Sequence, residues 1–175
     1  EKRPVLSVAS KESVANALLQ MCIQGLNQMK KQCYFIAYGN KLEMQRSYQG
    51  SVAVAKRYST LVEINANIIY EGDDFVYGIN QTNGRMHIVK HEQQIEHIDI
   101  NKIKGAYAVA IFADGTSKIE TMTILQIKKA WAQGKGGGNT MAHQNFTDEM
   151  AKKTVINRLC KSIINSSDDT ALFDD

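Results

Sequence analysis

The sequence predicts an α+β fold: a curved antiparallel β-sheet built from hairpins, with helices packed on one face. Three observations carry this. Three pairs of strand-like runs flank short turns rich in Gly, Asn and Asp, the signature of β-hairpins. Those turns are too short for a parallel crossover, so the strands must run antiparallel. Apolar residues at helical spacing lie at both ends of the chain.

Ser10 has the character of an N-cap, and Val14, Leu18, Leu19, Cys22 and Ile23 then follow at helical spacing. Gly25 is a natural stop. QCYFIAY and LEMQRSY flank Gly39-Asn40-Lys41 and form the first hairpin. GSVAVAKRYS, from Gly50, reads as a short helix. LVEINANIIYE, 61–71, is β-branched and alternating, a strand closed by the turn Gly72-Asp73-Asp74. FVYGIN and MHIVKH flank Thr82-Asn83-Gly84-Arg85 as a second hairpin. KGAYAVAIF and SKIETMT flank Ala113-Asp114-Gly115-Thr116 as a third. ILQIKKAWAQ is helical, GKGGGNTMAHQN (134–145) is a flexible glycine-rich loop, and Asn145 caps a long final helix, FTDEMAKKTVINRLCKSII. No repeat and no second-domain linker appears, so residues 1–165 read as one domain and 166–175 as a loose acidic tail.

The 175 residues suit one domain, and a hydrophobic fraction of 43% supports a core. No run of about 18 apolar residues occurs, so no membrane span is expected. The N-terminus lacks the apolar stretch of a signal peptide. Cys22, Cys33 and Cys160 are odd in number and far apart, which reads as reduced, buried thiols in a cytoplasmic protein. The last ten residues hold four Asp and no Lys or Arg, so the net charge of +3 becomes +7 over residues 1–165. A basic body with an acidic end suits a polyanionic partner, though a solvated surface of that charge is also ordinary.

Most catalytic chemistry is hard to assemble. His87, His91 and His97 lie close in sequence, but same-face strand positions four apart sit too far apart for one ion, so they read as surface histidines. GKGGGNT is not a phosphate-binding loop, because its lysine precedes the glycine run. Asp73-Asp74 and Asp148-Glu149 have structural explanations in a turn and a helix start. No GxSxG and no Cys/His pair is present. The chain is therefore read as no enzyme.

The two ends say more. On the final helix, Val155, Ile156, Leu159, Cys160, Ile163 and Ile164 share one half of the wheel. Lys152 projects into that half and must snorkel or line a groove, Lys153 lies at its edge, and Arg158, Lys161 and Thr154 lie opposite. In the first hairpin, alternation groups Leu42, Met44, Arg46 and Tyr48 on one face. An Arg among apolar neighbours either pairs with a carboxylate, Glu43 being nearest, or reaches an anionic ligand. The residues alone leave both open.

CYFIAYGNKLEMQRSYQG, IYEGDDFVYGIN, KIKGAYAVAIFADG and FTDEMAKKTVINRLCK, in this order, resemble the RecT/Redβ family of phage single-strand annealing proteins, from about Gln24 to Ile164. The resemblance implies ATP-independent binding of single-stranded DNA and annealing of complementary strands in recombination, by a ring or helical filament of copies. It implies no cofactor, a fold similar to that of eukaryotic annealing proteins, and a bacterial host cytoplasm with a phage or prophage gene. The implied partners are single-stranded DNA, the annealed duplex intermediate, a 5′→3′ exonuclease and a host single-strand-binding protein. Family proteins are longer, so the chain reads as the annealing core of a longer protein.

By resemblance, the DNA contacts are Lys152, Lys153, Arg158 and Lys161 of the last helix with Lys41, Arg46 and Arg57 of the first hairpin region. Gln45, Ser47, Tyr48 and Thr154 add neutral hydrogen bonds, and Lys128, Lys129 and Lys135 lie around the glycine loop. Lys41 and Arg46 would form one groove wall and the last helix the other. Gripping phosphates and leaving base edges open suits annealing, because wide stacking on aromatics would compete with pairing. The competing readings are a metal-dependent nuclease, which needs carboxylates converging around Asp114 or Glu120, and a non-catalytic polymerising nucleic-acid coat protein.

Overall fold

A computed structural model describes residues 5–134 and 137–167. Lys135 and most of the acidic tail, 168–175, lie outside the described residues. In chain order the elements are α1 (Val5–Val8), α2 (Lys11–Ile23), β1 (Cys33–Tyr38), β2 (Lys41–Arg46), α3 (Tyr48–Arg57), β3 (Leu61–Tyr70), β4 (Asp74–Ile79), β5 (Met86–Glu92), β6 (Ile103–Phe112), β7 (Ser117–Thr123), α4 (Ile124–Ala132), α5 (Met141–Asn145) and α6 (Thr147–Ile164). The fold is α+β, with every strand pairing antiparallel.

All three expected hairpins form, but they do not merge into one sheet. β3, β6 and β7 make a three-stranded sheet with β6 central, while β1–β2 and β4–β5 stand as separate two-stranded sheets. The reason is connectivity. The β4–β5 hairpin is inserted between β3 and its partner β6, so it folds away from the ladder it interrupts.

Alternation on β6 sorts the two faces of the central sheet. Ala106, Ala108 and Ala110, all fully buried, face α6, whose Ala151, Val155, Leu159 and Cys160 are equally buried. Three alanines in a row remove side-chain bulk and let the helix approach the sheet closely. α3 and α4 complete the same core through Ala55, Ile127 and Trp131. A smaller cluster of Leu26, Cys33 and Val54 joins the first hairpin to α3.

The opposite face carries Tyr107, and the β4–β5 hairpin folds over it. Phe75 stacks on Tyr107 at 5.4 Å between ring centroids, and His91 meets the same ring edge-on. His91 is therefore no surface histidine: its side chain is only 12% exposed, with Nδ1 2.9 Å from the Tyr107 hydroxyl and Nε2 3.3 Å from Asp73 Oδ2. The Asp73 carboxylate is fully buried and accepts from the Tyr70 amide and from Gln93 Nε2, each at 2.8 Å. Burial pushes its pKa up, but the Tyr70, Gln93 and His91 interactions outweigh that and hold it below the usual carboxylate range. Among the described residues no group of three His, Cys, Asp or Glu converges as a metal site would. No helix among them is long and apolar enough to cross a membrane.

Two local expectations change. The strand reading of LEMQRSY stops at Arg46, because Ser47 turns the chain by capping α3, accepting from the Gly50 amide at 3.1 Å. Cys33 and Cys160 are buried, but Cys22 lies on the exposed side of α2.

Replacing Asp73 with Asn should destabilise the fold by about 2–3 kcal/mol at neutral pH, since hydrogen bonds to a buried anion are lost. A depressed folded-state pKa adds stability that is present above the unfolded carboxyl pKa and lost as pH falls through the folded value. The gap between wild type and Asp73→Asn, measured by urea unfolding, should therefore shrink as pH falls below about 4.

Candidate nucleic-acid interface

α6 begins without a side-chain cap. Asn145, the expected cap, ends α5 instead, and Phe146 occupies the capping position. Asp148 and Glu149 in the first turn offset the helix dipole there. From Met150 to Ile164 the helix carries Lys152, Lys153, Arg158 and Lys161 and no carboxylate. Ala151, Val155, Leu159, Cys160 and Ile163 hold its inner face, so Asn157, Arg158 and Lys161 are fixed outward and exposed.

The cations differ in what surrounds them. Lys152 is half-buried and reaches back to Glu149, Nζ to Oε1 3.4 Å, the snorkelling its place on the wheel requires. Lys153 leans toward α3, its Nζ 6.0 Å from the centre of the Tyr48 ring. Arg158 turns the other way, to Glu120 on β7 at 2.9 Å, a half-exposed pair of small energetic weight. Lys161 has no ion pair among the described residues.

The first hairpin meets α6 only at one end. Arg46, facing inward with Leu42 and Met44, donates from Nη1 to Gln24 Oε1 at 3.0 Å. Glu43 is not its partner: Glu43 lies on the other face of β2 and pairs with Lys41 at 3.5 Å. The Arg46 charge reaches α6, where burial pushes the Cys160 thiol up to about 11 and Arg46 opposes that rise. Arg46, Tyr48 and Lys153 thus line one seam between α3 and α6. Lys41 is not in it. It is on the opposite face of the strand, about 17 Å of strand from Arg46. Gln45 also faces outward, donating to the Tyr38 hydroxyl.

Three expected contacts are engaged in holding the fold. Arg57 donates from both terminal nitrogens to the carbonyls of Gln24 and Gly25, clamping the C-terminus of α2 to α3. Thr154 accepts from Trp131 Nε1 at 2.7 Å and donates to the Met150 carbonyl at 2.8 Å, tying α4 to α6. Ser47 donates to the Lys31 carbonyl at 2.7 Å while capping α3. Lys128 and Lys129 are exposed on α4, on the far flank of α6 from the Arg46 seam.

A sequence model of the RecT family matches residues 2–175. The chain belongs to the RecT family. It is 28% identical over 170 residues to Protein RecT of Escherichia coli (strain K12), an overlap of 91% of this chain and 61% of that protein. The chain therefore spans less than two thirds of the length of that RecT protein.

Gln24 and Glu120, the partners of Arg46 and Arg158, carry no signal in the sequence, because both contacts are long-range. The lone tryptophan beside a glycine run was a legible signal for the cleft that forms around Trp131.

Thr154→Val should lower stability by about 1–2 kcal/mol, the cost of leaving the part-buried Trp131 Nε1 unpaired, and Arg57→Ala, which removes two exposed hydrogen bonds, by about 1 kcal/mol. Both should leave the salt dependence of DNA binding unchanged. Thermal unfolding alongside a salt titration separates the two effects.

Proposed function

We propose that the chain binds single-stranded DNA through its phosphates and anneals complementary strands in recombination, without ATP, as a ring or filament of copies. The observation that carries the reading is the stretch of α6 from Met150 to Ile164, which carries four cations and no carboxylate, in a chain that belongs to the RecT family. Lys153, Arg158 and Lys161 grip the backbone there. Arg46 and Tyr48 extend the grip across α3, because Arg46 keeps further guanidinium donors beyond the one given to Gln24. Phosphate contacts leave base edges open, which pairing requires.

Head-to-tail contact between copies generates a ring or filament. α2 is the candidate surface. Leu18, Leu19 and Ile23 are 45%, 56% and 61% exposed, and they form the stripe the sequence marks as apolar. The partners of this reading are single-stranded DNA, the nascent duplex, an exonuclease that resects the end and a single-strand-binding protein.

Binding to an oligonucleotide should weaken steeply with salt. Lys153→Ala with Lys161→Ala should flatten the log–log slope by about 1.4, at about 0.7 per single-strand phosphate contact, equally for all base sequences. Complementary oligonucleotides should pair faster with the protein than in buffer, with no nucleotide triphosphate added. Pairing no faster than in buffer refutes the reading.

A further inference from the structure

On the far flank of α6 from the Arg46 seam, a cleft of about 730 Å³ opens between α4, the glycine-rich segment and α5. Its walls include Lys128, Trp131, Asn101, Asn139, His143 and Gln144. We propose that this cleft takes one nucleotide, its base beside His143 and the carboxamides and its phosphate on Lys128. The DNA-annealing reading supplies only the source of that nucleotide.

The walls are built. Trp131 is locked to α6 through Thr154. The His143 ring lies 4.6 Å from the Trp131 ring, centroid to centroid, and its Nδ1 is fixed by the Thr140 hydroxyl at 2.7 Å. Gly138, with φ +72°, lies so close that a Cβ there would meet Trp131 Cβ at 2.8 Å. The described part of the glycine segment is therefore packed against the indole, and only glycine fits at that point.

The chemistry of the lining selects the ligand. Its described lining residues include Lys128 and, among them, no carboxylate, which favours an anion. Three carboxamides stand around it, and all three are oriented by hydrogen bonds: Asn101 Nδ2 donates to Asp99 Oδ1 at 3.1 Å, and Gln144 Nε2 to Asn139 Oδ1 at 3.0 Å. This leaves Asn101 Oδ1, Asn139 Nδ2 and Gln144 Oε1 without partners among the described residues, two acceptors and a donor. A nucleobase edge presents the matching mixture, and Asn and Gln are side chains that read it. His143 adds a flat ring of the kind on which unstacked bases rest. The volume lies within the range of small-molecule sites.

Trp131 is the only tryptophan of the chain, so its fluorescence reports the cleft directly. The full chain is titrated with dAMP, TMP, 2-deoxyribose 5-phosphate, inorganic phosphate and short oligodeoxynucleotides. A saturable change is expected with the mononucleotides, about ten-fold weaker with the sugar phosphate that lacks a base. Gln144→Ala and Asn139→Ala, on exposed side chains, should each weaken mononucleotide binding about five-fold, the loss of one ordinary hydrogen bond. Oligonucleotides that give the same change place the nucleotide within a strand; oligonucleotides that give none assign the cleft to free nucleotides. A base-free sugar phosphate that binds as well as dAMP, or no saturable change with any ligand, overturns the proposal. Salt-dependent oligonucleotide binding in that case leaves the phosphate grip on α6 standing.

Discussion

Everything placed around the candidate interface depends on how closely α6 sits on β6. Ala106, Ala108 and Ala110 present methyl groups where a sheet of this kind would ordinarily carry branched side chains, and Ala151, Val155, Leu159 and Cys160 fill the space above them completely. A helix held by so many fully buried contacts cannot roll. Enlarging any one of the three alanines would overpack the layer, at a cost of about 1–3 kcal/mol, and tilt the helix. The rotation of α6 is thus set from below by residues with no polar atoms. Which cations face solvent follows from that setting and not from the cations themselves.

The same seating divides the surface into two flanks. Toward α3, Lys153 meets Tyr48 and the Arg46 charge reaches Cys160, so charge from a strand end and a helix edge collects along one seam. Toward α4 and β7, Thr154 receives the Trp131 indole and Arg158 turns to Glu120, so these two side chains have partners within the chain. Lys152, Lys153 and Arg158 are near neighbours in sequence, yet they meet different partners, Glu149, Tyr48 and Glu120, because 100° per residue spreads neighbours around the helix. A basic run on a helix is therefore poor evidence for a single binding line until its inner face is known.

The fold class and the three hairpins were legible because they rest on local signals: turn residues, period-two alternation and helical spacing. The inward face of β2 was legible for the same reason, with Leu42 buried and Met44 partly buried beside Arg46. What failed was long-range. Arg46 takes Gln24, 22 positions away, and not Glu43, since strand alternation puts Glu43 on the opposite face. The same alternation separates Lys41 from Arg46, so the expected groove wall of both cannot exist on one face. His91 looked exposed because hairpins usually are, but the turn at Asp73 folds its carboxylate inward, and the hairpin closes over Tyr107 to meet it. Tertiary packing decided each of these, and no pattern within one element encodes it.

α2 is placed by the same kind of long-range contact. Its attachment to the body joins apolar contacts of Ala17 and Met21 to polar ones: the Ser10 amide donates to the Asn40 carbonyl, Ser13 Oγ accepts from the Leu42 amide, and Arg57 grips the carbonyls at its end. Its buried residues, Ser13 and Ala17, are small and face the first hairpin. The stripe that made it a helix in the sequence, Leu18, Leu19 and Ile23, points away from the chain's own core. Such a helix is held in place without using this stripe, so its orientation is fixed while the stripe stays in water. Each apolar Å² covered there contributes about 25 cal/mol. A second copy seated on this stripe would gain that energy without disturbing any contact that holds α2, and a rigidly presented surface loses little entropy on binding.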